Sequence, residues 1–85
     1  MEEIAVGKVS KYFGHVGTAA IMVESSGIKL GDTLHFKGHT TDFTQTVESM
    51  QVEHLVISEA KPGDSIGIKV KDRVRPHDLV FKVTG

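Results

Sequence analysis

The chain has 85 residues, no Cys, and 10 basic against 11 acidic side chains. A chain of this length forms one domain that buries a core without metal or disulfide staples. The missing Cys excludes thiolate nucleophiles and thiolate metal sites and fits a reducing cytoplasm, and the near-neutral charge argues against a generic nucleic-acid coat protein.

The pattern predicts six or seven short strands. The first runs from about Ile4 to Phe13. Its inward parity changes at Gly7, which suggests a bulge where the strand bends. Gly14-His15-Val16-Gly17 reads as a hairpin turn into a second strand, Thr18 to Glu24, apolar on both parities. Ser25-Ser26-Gly27 makes the next turn, and Ile28 to Gly31 leads into a third strand. Gly38 to Asp42 is a polar loop. Phe43 to His54 is the longest strand candidate, with a second parity change between Val47 and Met50. Helical spacing of Val47, Met50 and His54 is a competing reading, but the Thr- and Val-rich composition favours a strand. Ser58 to Gly63 is a turn that Pro62 keeps from being helical. Strands follow at Ser65 to Lys71 and Leu79 to Val83, linked through Arg75-Pro76-His77-Asp78.

Two of these strands start from the same signal. Lys29-Leu30-Gly31-Asp32 precedes Leu34 and Phe36, and Lys61-Pro62-Gly63-Asp64 precedes Ile66, Ile68 and Val70. Gly31 and Gly63 supply the positive φ of a tight turn, and Asp32 and Asp64 bond back to the turn's own backbone. The alternation after each Asp marks a strand with one buried face. The expected core is Val6, Val9, Ile21, Val23, Leu34, Phe36, Val47, Ile66, Ile68, Val70, Leu79 and Phe81.

Lys69, Lys71, Arg73 and Arg75 share one parity. On an unbroken strand they would line an outer face able to track a phosphate backbone or an acidic protein surface. The bland reading is a solvated face, and Asp72 on the opposite parity fits only if the strand ends there. Tyr12 is read as the exposed member of Tyr12-Phe13, a possible stacking partner. Five histidines show no zinc-site spacing, so no metal is expected, although His35 and His39 would be the first to test. Thr40, Thr41, Asp42 and Ser49 near His39 read as turn formers, since nothing marks a nucleophile elbow. No cofactor or catalysis is expected. The longest apolar run, Ala19 to Val23, is far too short for a membrane span, and the acidic start does not read as a signal peptide.

Gly7-Lys8-Val9, Leu30-Gly31-Asp32, Val47-Glu48-Ser49-Met50, Ala60 to Asp64 with Ile66-Gly67-Ile68, and Val74 through Val80 fall in the order found in domain 2 of translational GTPases of the elongation factor Tu type. The chain resembles that domain over nearly its whole length. Phe43 to Glu48 and Val74 to Leu79 also resemble the C-terminal barrel of collagenase-like peptidases. The resemblance implies an all-β fold: a single domain over residues 1–85, a small six-stranded, closed or nearly closed, antiparallel-rich barrel. It implies a noncatalytic binding module that docks on RNA or a ribonucleoprotein. The alternative is a protein-interaction barrel, accessory to a larger enzyme or self-associating. No Gly-x-x-x-x-Gly-Lys-Ser/Thr loop is present, so the phosphate cradle and its Lys are missing. A calorimetric titration with GTP and magnesium is therefore expected to be flat, and saturable micromolar binding would reveal a site of different construction.

Overall fold

In a computed structural model that describes residues 2–84, the chain is all-β, with no helix among those residues. The strands are β1 (Glu2–Phe13), β2 (Thr18–Val23), β3 (Ile28–Lys29), β4 (Thr33–Lys37), β5 (Asp42–Thr46), β6 (Met50–Val52), β7 (Leu55–Ile57), β8 (Glu59–Ala60), β9 (Ser65–Lys69) and β10 (Leu79–Thr84). Eight of them form one sheet in the order β5-β4-β10-β1-β2-β9-β6-β7, while β3 pairs with β8. All the pairings are antiparallel. No helix among the described residues is long and apolar enough to cross a membrane.

The apolar alternation builds the core. Val6, Val9, Ile21, Val23, Leu34, Phe36, Val47, Ile66 and Ile68 are all buried, as expected from their parity. Ile28, Met50, Ala60, Val74 and Val80 join them, and Phe36 stacks on Phe43 with ring centroids 5.0 Å apart. Each fully buried Leu, Ile or Phe contributes about 1.5–3 kcal/mol by leaving water. Gly7 lies at the expected bulge, where the register of β1 against β10 shifts between Ala5 and Gly7. A Cβ there would meet the Met22 carbonyl oxygen, so the close approach of β2 requires glycine.

Three turns share one construction. In 29–32, 61–64 and 75–78, the Asp N–H donates to the carbonyl of the first residue at 3.1, 3.0 and 3.1 Å. The third residue has positive φ: Gly31 at 91°, Gly63 at 96° and His77 at 77°. The Asp carboxylate accepts the N–H of the first residue, Lys29, Lys61 or Arg75, at 2.8, 2.8 and 2.9 Å. The third residue and the Asp together oppose one buried valine. Val47, Val23 and Val9 each accept from that third N–H and donate to the Asp carbonyl, at 2.8 or 2.9 Å throughout. Two residues facing one is a β-bulge with a left-handed first residue. Asp78 is buried and also accepts the Thr41 hydroxyl at 2.5 Å.

Bulges account for the departures from expectation. Leu79 is exposed and Phe81 half-buried, while Val80 is fully buried. The bulge at His77-Asp78 sets β10 as the others set β4 and β9, so the second residue after each Asp points inward. Tyr12 packs against the core and Phe13 is exposed, the reverse of the expected pair. The register of β1 against β2 shifts between Val9 and Lys11 and exchanges their faces. Val70 lies just past β9 and is half-buried.

The expected six strands are ten among the described residues, and backbone pairing leaves the large sheet with two edges, β5 and β7, instead of a continuous closed ladder. The long strand over 43–54 is split because Val47 gives both backbone groups to the Gly31-Asp32 bulge. Residues 47–49 then connect β5, on β4, to β6, on β9.

A side chain in left-handed backbone costs about 1–2 kcal/mol. Nothing lies within 4 Å of a Cβ built on Gly31 or Gly63, so substitution there tests backbone strain alone. Gly31→Ala and Gly63→Ala should each destabilise by about 1–2 kcal/mol. His77→Gly should raise the melting temperature instead. Thermal melts of the three variants check both directions.

Candidate functional site

The four basic residues singled out by parity do not form a strand-long stripe. β9 ends at Lys69, and Lys71, Arg73 and Arg75 follow on an irregular segment. All four are exposed, and Val74 between them is buried, which anchors the segment to the core. The Lys71 ammonium lies 5.9 Å from the centroid of the Phe43 ring, a cation–π distance. Arg75 opens the third turn. Asp72 is exposed, as a broken strand allows. Tyr12 is half-buried and packs against the core, while Gly31, Asp32, Gly63 and Asp64 act as turn and bulge residues.

Gln45, which the sequence reading passes over, ties this segment to β5. Its Nε2 donates to the Lys69 carbonyl at 2.7 Å, and its Oε1 accepts the Lys71 N–H at 2.9 Å. The bonds cross between β5 and the end of β9, two strands that share no backbone pairing. Nothing in local sequence marks a strand Gln for that task.

A second surface lies between two hairpins. Phe13 and Val16, at the β1–β2 turn, are 43% and 51% exposed, and Leu55 and Val56, in β7, are 70% and 71% exposed. Between the hairpins runs a groove of about 460 Å³ whose lining includes Phe13, Val16, Ala20 and Ile66 on one side and Glu53 and His54 on the other. Glu53 and His54 take φ of 49° and 68°, the two left-handed residues of a tight hairpin loop. Neither is the Gly or Asn that would have marked the turn in sequence, so β7 was legible only as an apolar run.

The third feature is His35. Its Nδ1 faces Glu3 Oε2 at 2.7 Å and its Nε2 faces Asp42 Oδ1 at 2.5 Å, joining β1, β4 and β5. Ionised carboxylates only accept, so the arrangement favours the protonated imidazole, in which both ring nitrogens donate. The hydrogen bond to Asp42 raises the His35 pKa above its ordinary 6.5; burial opposes this, and the Glu3 hydrogen bond and both negative charges add to it. The His35 hydrogen bond lowers the exposed Asp42 below 3.8, with smaller help from the His35 and Lys37 charges. The ring sits 6.2 Å from that of Phe81. Both nitrogens are thereby occupied. His39 is exposed in its loop, and Thr41 bonds to Asp78 rather than to a histidine. Among the described residues no group of three His, Cys, Asp or Glu side chains could hold a metal ion.

No protein-family model matches the chain. It is 37% identical over 82 residues to a collagenase of Porphyromonas gingivalis, covering 95% of this chain and 20% of the collagenase. It is 34% identical over 80 residues to an uncharacterized protease of Methanocaldococcus jannaschii, covering 93% of this chain and 19% of the protease. Similarity to elongation factor 1-alpha of Euglena gracilis is weaker, 35% over 60 residues and 69% of this chain. The C-terminal domain of a U32 peptidase candidate from Geobacillus thermoleovorans superposes with a TM-score of 0.87 at 25% identity, covering 94% of this chain and 92% of that domain. The chain is homologous to that C-terminal domain and to a segment of the collagenase. It spans about a fifth of the length of the collagenase and the protease. The peptidase side of the expected resemblance is therefore the stronger one.

The Glu3–His35–Asp42 clasp makes stability depend on pH from both sides. A raised histidine pKa contributes stability that is complete below 6.5 and lost as pH rises through the folded value. A lowered carboxylate pKa contributes stability present above 3.8 and lost as pH falls through the folded value. The clasp is at full strength between these limits. Denaturant unfolding across pH 4–9 should show wild type losing stability on the alkaline side of about 6.5, and His35→Gln should flatten that limb. An identical limb in the variant would assign it to other groups.

Proposed function

We propose that the chain is a noncatalytic protein-docking domain, of the kind that accompanies the larger body of a collagenase or U32 peptidase. The groove between the two hairpins carries this reading. Leu55 and Val56 are the most exposed large apolar side chains of the described residues, and they directly follow Glu53 and His54, which line the groove together with Phe13 and Val16. Leaving an apolar side chain of this size in water forgoes about 1.5–3 kcal/mol. An interface that covers it recovers that energy, and clustered exposed apolar groups mark such interfaces. The homology supports the same reading, since the relatives carry this domain together with several times its length of other chain.

We also read the sheet as a six-stranded barrel. β4, β10, β1, β2 and β9 follow one another, and the bent ribbon of β5 and β6 has β4 on one side and β9 on the other. Gln45 bridges part of the remaining seam. On this reading β7 is an appendage that projects its apolar side chains from the barrel wall.

The test uses the Porphyromonas gingivalis collagenase truncated to remove the segment homologous to this chain. Calorimetry should show it binding the intact domain with little dependence on salt, because an apolar interface releases few counterions. Leu55→Asp combined with Val56→Asp should weaken binding at least about tenfold without lowering the melting temperature. Concentration-dependent self-association abolished by the same pair would also support the docking surface. A strictly monomeric protein with no affinity for the truncated enzyme, or one that hydrolyses peptides by itself, would overturn the reading.

A further inference from the structure

We propose that the outer edge of residues 69–71 is a receptor for an extended acidic peptide, and that the Gln45 side chain occupies this edge in place of a peptide group. The inner side of the segment is already paired, Lys69 with Thr18 in β2 and the Val70 N–H with the Gly17 carbonyl at 2.9 Å. On the outer side the Lys69 carbonyl accepts from Gln45 Nε2 and the Lys71 N–H donates to Gln45 Oε1. Bonds to the carbonyl before and the N–H after one residue, here Val70, are the pattern a residue of a parallel strand makes. A carboxamide has the same donor and acceptor as a peptide unit. Gln45 thus supplies from a side chain the rung that a neighbouring strand would supply from its backbone.

The surroundings leave room for such a strand. Cavities of about 310 and 500 Å³ flank Gln45 and share Thr46, Glu48 and Lys69 as walls. Together they make a polar trough whose open stretch runs from Lys69 to Lys71, about 7 Å of extended chain, past the point where Gly67 already pairs with Gln51 of β6. Lys69 and Lys71 are exposed at its rim, two residues apart. A strand laid beside them places alternate side chains next to each ammonium, where Asp or Glu would pair. Glu48 is the acidic residue in the walls, and it confines guest acids to the lysine side. This peptide edge requires no contribution from the hairpin groove, so either surface can fail without the other.

The probe is the peptide acetyl-(Glu-Val)4-amide, titrated into 15N-labelled protein. Saturable shifts are expected at the Lys69, Val70 and Lys71 amides and at the Gln45 side-chain NH2. Gln45→Met keeps the length of the side chain and removes both bonds, and should tighten binding roughly tenfold, since no internal amide has to be displaced. In an otherwise wild-type protein, Lys69→Glu with Lys71→Glu should abolish binding of this peptide and create binding of acetyl-(Lys-Val)4-amide. This second arm decides the matter even if Gln45→Met fails to fold. The proposal is overturned by absence of saturable shifts at millimolar peptide, by shifts confined to the hairpins, or by a folded Gln45→Met variant that binds no tighter. It is equally overturned if a short RNA moves these resonances while the peptide does not.

Discussion

The fold rests on one arrangement made three times: a buried valine that gives both its backbone groups to a bulged Asp turn. Val9, Val23 and Val47 are each at most 1% exposed. Their N–H and C=O groups have no access to water, so an unpaired group would cost about 1–3 kcal/mol. The turn supplies both partners from consecutive residues, the left-handed one and the Asp. Placing two residues against one bends the chain and increases its twist. The next strand then leaves at a fixed phase, with the second residue after each Asp, Leu34, Ile66 or Val80, aimed into the core. The pairing of the buried valines and the aiming of the strands both follow from these bends.

Away from the turns, side chains do work that backbone ladders do elsewhere. His35 holds Glu3 of the first strand and Asp42 of an edge strand, and Gln45 joins the same edge strand to the segment after β9. Edge strands present unpaired backbone groups and tend to recruit other chains. Here β5 is restrained at its start by the His35 imidazole and near its end by the Gln45 amide. β7 has neither device, and its apolar side chains stand in solvent. The asymmetry leaves one edge restrained by side chains and the other with its apolar side chains exposed.

Much of this was legible in the residues. Strict alternation after Gly31-Asp32 and Gly63-Asp64 located two strands and their inward faces, because a side-chain period of two admits one buried set. Gly7 marked a bulge correctly, since the backbone of β2 approaches too closely for any side chain. The third turn escaped notice because His77 stands where the others have glycine, and with it went the phase of β10. Had Arg75-Pro76-His77-Asp78 been read as Lys61-Pro62-Gly63-Asp64 with two substitutions, Arg for Lys and His for Gly, Val80 would have been placed inside.

What the sequence by itself determined is the all-β class, the two glycine turns and most of the core, all consequences of local backbone preference and short-range alternation. Tertiary structure alone decided which strands break and which side chains meet. Val47 left the long strand because a turn some 15 residues earlier claimed its hydrogen bonds, a competition between distant segments that no window along the chain contains. Gln45 and His35 acquired their partners in the same way, across 24 and 26 residues for the one and 32 and 7 for the other. Such pairs are set by how the sheet curls, and the curl is the sum of bulges whose hydrogen bonds to Val9, Val23 and Val47 join segments far apart in the chain.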